Sequence, residues 1–180
     1  MSGHTIMANR APVLTLWASI VAERLGFNRE EALSLGKGLA GLTAQTKGRM
    51  PGIFKARKGV AQGVRKTVAV GENFWIELCE RFIPAKHTAE GVRAAVKDVP
   101  IDPAEVARDL ESKFGEDLAS VRDVMEHLAR SFDTNDLADR AYALYEKFRP
   151  SIPAGMEGWG AKGVLDLARM RSLTGRVWRP

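Results

Sequence analysis

The sequence predicts a mainly α domain, a bundle of about five to six helices with one small β-hairpin. Apolar residues recur at helical spacing through most of residues 12–47 and 102–148. Start and stop signals punctuate those runs, with Asp102-Pro103 as an opening and Gly26, Gly115 and Pro150 as closures. Only residues 71–99 combine β-branched residues with a short glycine-containing connection. At 180 residues the chain suits one domain. Its parts are a helical hairpin (12–48), a basic Gly-rich segment (49–70), a β-hairpin region (71–99), acidic helices (100–149), and a Gly-rich loop, last helix and basic tail (150–180).

Arg10 and the charge-free run 11–22 resemble the start of a secretory signal. A signal has no reason to keep a polar stripe, however, and Thr15, Ser19 and Glu23 recur every four residues. The segment therefore predicts a core helix from about Pro12 to Gly26. A second helix follows from about Arg29 to Lys47. Asn28 and Glu31 have capping-box spacing at its start, and Leu35, Leu39 and Leu42 share one side. Gly36, Gly38 and Gly41 predict close backbone packing or a mid-helix break, since each weakens a helix by up to about 1 kcal/mol relative to Ala.

The stretch from Val21 to Leu35 resembles the helix-turn-helix DNA-binding motif. Ala22, Gly26 and Ala32 stand where that family places a small residue, the turn glycine and an apolar residue. The resemblance implies a recognition helix with Arg29, Ser34 and Lys37 on its groove side. Glu30 and Glu31 depart from the pattern, because they stand where such a helix meets phosphates. The chain as a whole loosely resembles a bacterial family that brings no function with it.

The net charge of +5 is unevenly distributed. Residues 47–70 hold Lys47, Arg49, Lys55, Arg57, Lys58, Arg65 and Lys66 with no acid, interleaved with Gly48, Gly52, Gly59 and Gly63. Cationic side chains beside glycines that let backbone amides approach an anion suit a phosphate backbone. They equally suit a solvated loop that neutralises an acidic protein surface. Residues 100–148 carry twelve acids against six bases, and 149–180 six bases against two acids.

In the β region, Phe82–Thr88 and Val92–Val96 flank Ala89-Glu90-Gly91 and predict a hairpin, with Gly91 at a position that needs positive φ. Residues 74–81 fit a helix or a partly buried strand. Lys86, His87, Arg93 and Lys97 suit either a phosphate-contacting wing or a plain structural hairpin. Cys79 reads as a core thiol. Three further helices are expected at about 102–114, 116–132 and 135–148, with their acids on outer faces, and a last one at about Val164–Leu173 before the basic tail Arg176-Val177-Trp178-Arg179.

Several motif look-alikes fail on context. The GxGxxG of Gly36, Gly38 and Gly41 lies in a helical pattern without a preceding strand. Ser34, in Ala-Leu-Ser-Leu-Gly, likewise follows a helix start where a nucleophile elbow needs a strand. The loop of Gly155, Gly158, Gly160, Lys162 and Gly163 lacks P-loop spacing and reads as a linker with Trp159 docked on the core. His4, His87 and His127 share no metal-ligand spacing.

With 45% apolar residues, one cysteine and no apolar run near the roughly 20 residues of a membrane span, composition excludes disorder, a disulfide framework and a spanning helix. The expectation is a cytoplasmic, non-enzymatic protein without cofactor or metal. It binds nucleic acid through Lys47–Lys66 beside the hairpin or, alternatively, pairs that segment with an acidic protein surface or a second copy of itself.

Overall fold

The computed structural model describes residues 5–46, 73–96, 99–151 and 162–174. Its elements, in chain order, are β1 (Thr5–Asn9), α1 (Arg10–Arg24), α2 (Arg29–Thr46), β2 (Asn73–Leu78), β3 (Arg81–Thr88), β4 (Gly91–Val96), β5 (Val99–Pro100), α3 (Pro103–Phe114), α4 (Leu118–Arg130), α5 (Thr134–Phe148), β6 (Lys162–Asp166) and α6 (Leu167–Ser172).

α1 is the centre of the fold. Every residue from Pro12 to Ala22 is buried, and the Trp17 indole N–H donates to the Ala141 carbonyl of α5 at 2.9 Å. Trp17 also meets Phe148 edge-on at 5.2 Å between ring centroids. The polar stripe of α1 faces α2 rather than water. Thr15 and Ser19 bond back to Ala11 and Leu16 of their own helix, which satisfies both hydroxyls and leaves a shallow surface over which the Gly36 backbone passes.

Gly26, at φ +114°, makes the turn into α2, with Ala22 and Ala32 fully buried beside it. The expected capping box forms: the Asn28 side chain accepts from the Glu31 amide at 2.8 Å, and Glu31 Oε1 accepts from the Asn28 amide at 3.1 Å. α2 then runs unbroken and antiparallel to α1. Its glycines allow close packing on two sides, Gly36 against Thr15 and Ser19 of α1 and Gly38 against Ala94 and Ile83 of the sheet.

That sheet is an antiparallel meander in the order β2-β3-β4-β5. The expected hairpin is present with Thr88 opposite Gly91, and Gly91 takes φ +125°. The open choice at 74–81 resolves as strand β2, closed by a two-residue turn in which Cys79 and Glu80 have φ 52° and 65°. Positive φ at both central positions matches the right-handed twist of a hairpin. Cys79 is buried there, and desolvation pushes its thiol well above the ordinary range.

The three acidic helices form as expected. Asp102 caps α3 by accepting from Ala104, and Asp133 caps α5 by accepting from Asp136. Their apolar faces close the core against α1.

The expectation of a helical bundle with one small hairpin is wrong. Among the described residues the protein has six strands in two sheets and is an α+β fold. β1 and β6 pair antiparallel with Met7 opposite Val164, and Ser151 bridges to Val164 on the other edge. The helix expected over Val164–Leu173 is a strand as far as Asp166, which then caps the short α6 by accepting from Ala168 and Arg169. Thr5–Asn9 and Lys162–Asp166 are each five residues long and pair with segments far away in the sequence, so local periodicity carries no trace of them.

Candidate nucleic-acid interface

The residues singled out in the sequence fall into separate places. Arg29 is exposed at the first turn of α2, 3.9 Å from Glu23. Ser34 is fully buried: its hydroxyl accepts the Ala94 amide at 2.8 Å and donates to the Ile101 carbonyl at 3.1 Å. It holds α2 to the sheet and has no surface to offer a ligand. Lys37 is exposed further along α2. Lys47, Arg49, Lys55, Arg57, Lys58, Arg65 and Lys66 lie outside the described residues, as do Lys97, the loop 152–161 and the tail 175–180. Of the hairpin cations, Arg93 is buried against the first turn of α2.

Helix α2 is 18 residues long, so Arg29 stands about 25 Å from Thr46, after which the basic segment begins in the sequence. Arg10 opens α1 at the end of that helix away from the Gly26 turn. Beside Arg10 at that end is a cleft of about 560 Å³ whose lining includes Lys147, Arg149 and Arg169. Helix α5 delivers Lys147 and Arg149 at its C-terminus, and α6 delivers Arg169. The Arg10 Nε donates to the Pro150 carbonyl at 3.0 Å, and the Arg169 Nε to the Lys147 carbonyl. These bonds fix both guanidinium groups without neutralising them.

The cations here oppose one another. Burial and then the like charge of Arg149 hold the Arg10 guanidinium below its ordinary range. Glu146 and Asp166 also line the cleft, yet no ion pair to any of the four cations is found among the described residues, and Asp166 is occupied in capping α6. The ion pairs seen in the acidic half, Lys113 with Asp109 and Arg130 with Glu126, stay within their own helices. Tyr145 lies beneath the cleft with its hydroxyl 3.4 Å from the Arg10 carbonyl, and burial raises its pKa above the ordinary value. Four cations against two carboxylates leave the lining net positive, which favours an anion.

Arg10, Lys147, Arg149 and Arg169 belong to no binding motif in the sequence, where Arg10 stands only at the edge of a charge-free run. The signal that pointed toward two of them was the basic balance of 149–180. Arg10 joins them only through the pairing of α1 with α5 and the β1–β6 ribbon. Among the described residues no group of three or more His, Cys, Asp or Glu is placed to hold a metal ion, and no helix is long and apolar enough to cross a membrane. Comparisons with protein-family models, curated proteins and solved structures find no match to this chain.

Proposed function

We propose that the protein is a non-enzymatic nucleic-acid-binding protein of the cytoplasm that holds the phosphate backbone with the cleft of Arg10, Lys147, Arg149 and Arg169 and with the segment Lys47–Lys66. The carrying observation is the set of four cations in one cleft that have no ion-pair partner among the described residues, in a chain whose residues 47–70 add seven further basic residues and no acid. The hairpin resembling a helix-turn-helix supports this surface. α2 packs against α1 on one side and the sheet on another, so in this reading its exposed Lys37 adds charge and does not insert into a groove.

A salt titration of binding to random-sequence duplex and single-stranded oligonucleotides tests the proposal. Affinity falls steeply with salt, and changing Lys55, Arg57 and Lys58 together to Ala lowers the log–log slope by roughly two to three. Changing Arg149 and Arg169 to Ala weakens binding separately. Absence of binding at about 50 mM salt refutes the reading.

Self-association is the second reading. Met7 and Val164, opposite each other on the β1–β6 ribbon, are 56% and 40% exposed. A concentration-dependent dimer that Met7→Thr disperses, in a protein without affinity for nucleic acid, favours it.

A further inference from the structure

A second cleft, of about 570 Å³, lies between the first turn of α2, the β3–β4 turn and the first turn of α3. Leu33, Ile101, Pro103 and Ala107 give it apolar walls. Arg93 also lines it and is only 7% exposed. A guanidinium carries five N–H donors, and burying one is costly unless its partners are good. Among the described residues this one has two: the carbonyl of Val92 at 2.9 Å, and Glu30 at 3.5 Å with a side chain 67% exposed. The buried Glu31 carboxylate flanks the guanidinium across Gly91 without a hydrogen bond to it, and the one direct carboxylate contact, to Glu30, is long and solvated, which leaves donors of the fork weakly matched.

We propose that this cleft binds a small monocarboxylate with an apolar body. The planar fork of Arg93 matches a carboxylate, which takes the place of Glu30, while the apolar walls cover the body of the ligand. Glu90 and Asp102 on the rim discriminate against a doubly charged phosphate, and Arg93 against an amine. None of these residues belongs to the basic cleft, so the site stands independently of nucleic-acid binding.

The test is amide NMR of the full chain titrated with phenylbutyrate or octanoate, with phenylbutanol as the neutral control. The carboxylates produce saturable shifts at Leu33, Arg93 and Ile101, and the alcohol does not. Glu30→Gln removes the competing carboxylate and tightens binding about two- to fivefold. Arg93→Gln abolishes it. Because Arg93→Gln also removes a contact between the sheet and α2, Ala107→Phe is the companion variant. It fills the cleft from the side of α3, where Ala107 is partly buried, and abolishes binding while the chain stays folded. Shifts that are absent or equal with the alcohol, an unchanged or weaker affinity in Glu30→Gln, or retained binding in a folded Ala107→Phe overturns the proposal.

Discussion

The carboxylate of Glu31 joins two elements 61 residues apart: Oε1 accepts the Asn28 amide hydrogen in the capping box, while Oε2 accepts that of Val92 in β4 at 3.0 Å. The side chain that opens α2 thereby also sets α2 on the sheet. Glu31→Ala strands a buried amide at Val92 as well as losing the cap, and destabilises the fold by about 2–4 kcal/mol. Glu31→Gln keeps an acceptor and costs about 1 kcal/mol. Urea denaturation checks both, and equal losses for the two variants contradict the shared role.

The three glycines of α2 separate by position. A Cβ at Gly36 stands 2.5 Å from the Thr15 carbonyl oxygen, and one at Gly38 stands 2.6 Å from the Ala94 Cβ. Neither neighbour is the end of a flexible side chain, so Gly36→Ala and Gly38→Ala each destabilise by roughly 1–3 kcal/mol. Gly41 has nothing within 4 Å, and Gly41→Ala stabilises by up to about 1 kcal/mol. Melting temperatures that fall for the first two variants and rise for the third are the expected result.

Glu80 has two reasons to oppose folding. Its φ of 65° is uncommon for a residue with a Cβ. Though Glu80 is exposed as a residue, partial desolvation of its carboxyl, with Asp139, Glu146 and Glu77 nearby, raises its pKa above the ordinary value despite Arg81. A carboxyl raised in the folded state favours the fold below its unfolded pKa and ceases to do so as pH rises through the folded pKa. Glu80→Asn, which tolerates the left-handed turn, stabilises by about 0.5–1 kcal/mol at neutral pH. Its advantage shrinks as pH falls below the unfolded carboxyl range, leaving only the backbone contribution. Denaturation series at neutral and acid pH check the sign, and a gain that grows on acidification contradicts it.

Gly163 ties the ribbon to the basic cleft. A Cβ there stands 2.5 Å from the Ser151 carbonyl oxygen, across the bridge that joins Ser151 to Val164. Gly163→Ala forces apart the strand leading to Arg169 and the chain carrying Arg149. It costs roughly 1–3 kcal/mol and weakens oligonucleotide binding with no change in charge. Affinity that stays at the parental value in a visibly destabilised variant separates the ribbon from the cleft.

Features built from neighbouring residues were legible beforehand. The Asn28–Glu31 box, the Asp102 cap, the Gly91 turn and the helical faces of α3 to α5 each need only residues a few positions apart, and all are present. The choice at 74–81 stayed open because a six-residue strand with partly buried edges fits both periods. Ser34 looked like a surface hydroxyl by resemblance and is a buried bracket, because its partners lie 60 and 67 residues away.

By itself the sequence determined the helical hairpin, the capped acidic helices, the β3–β4 turn and the regional imbalance of charge, since local sterics, caps and counting decide these. The tertiary structure alone decided that the two ends of the described chain meet in a ribbon, that Arg10, Lys147, Arg149 and Arg169 share one cleft, and that Arg93 is buried beside a second. Each depends on contacts between distant segments, where the closure of long loops and the packing of whole faces outweigh local preference.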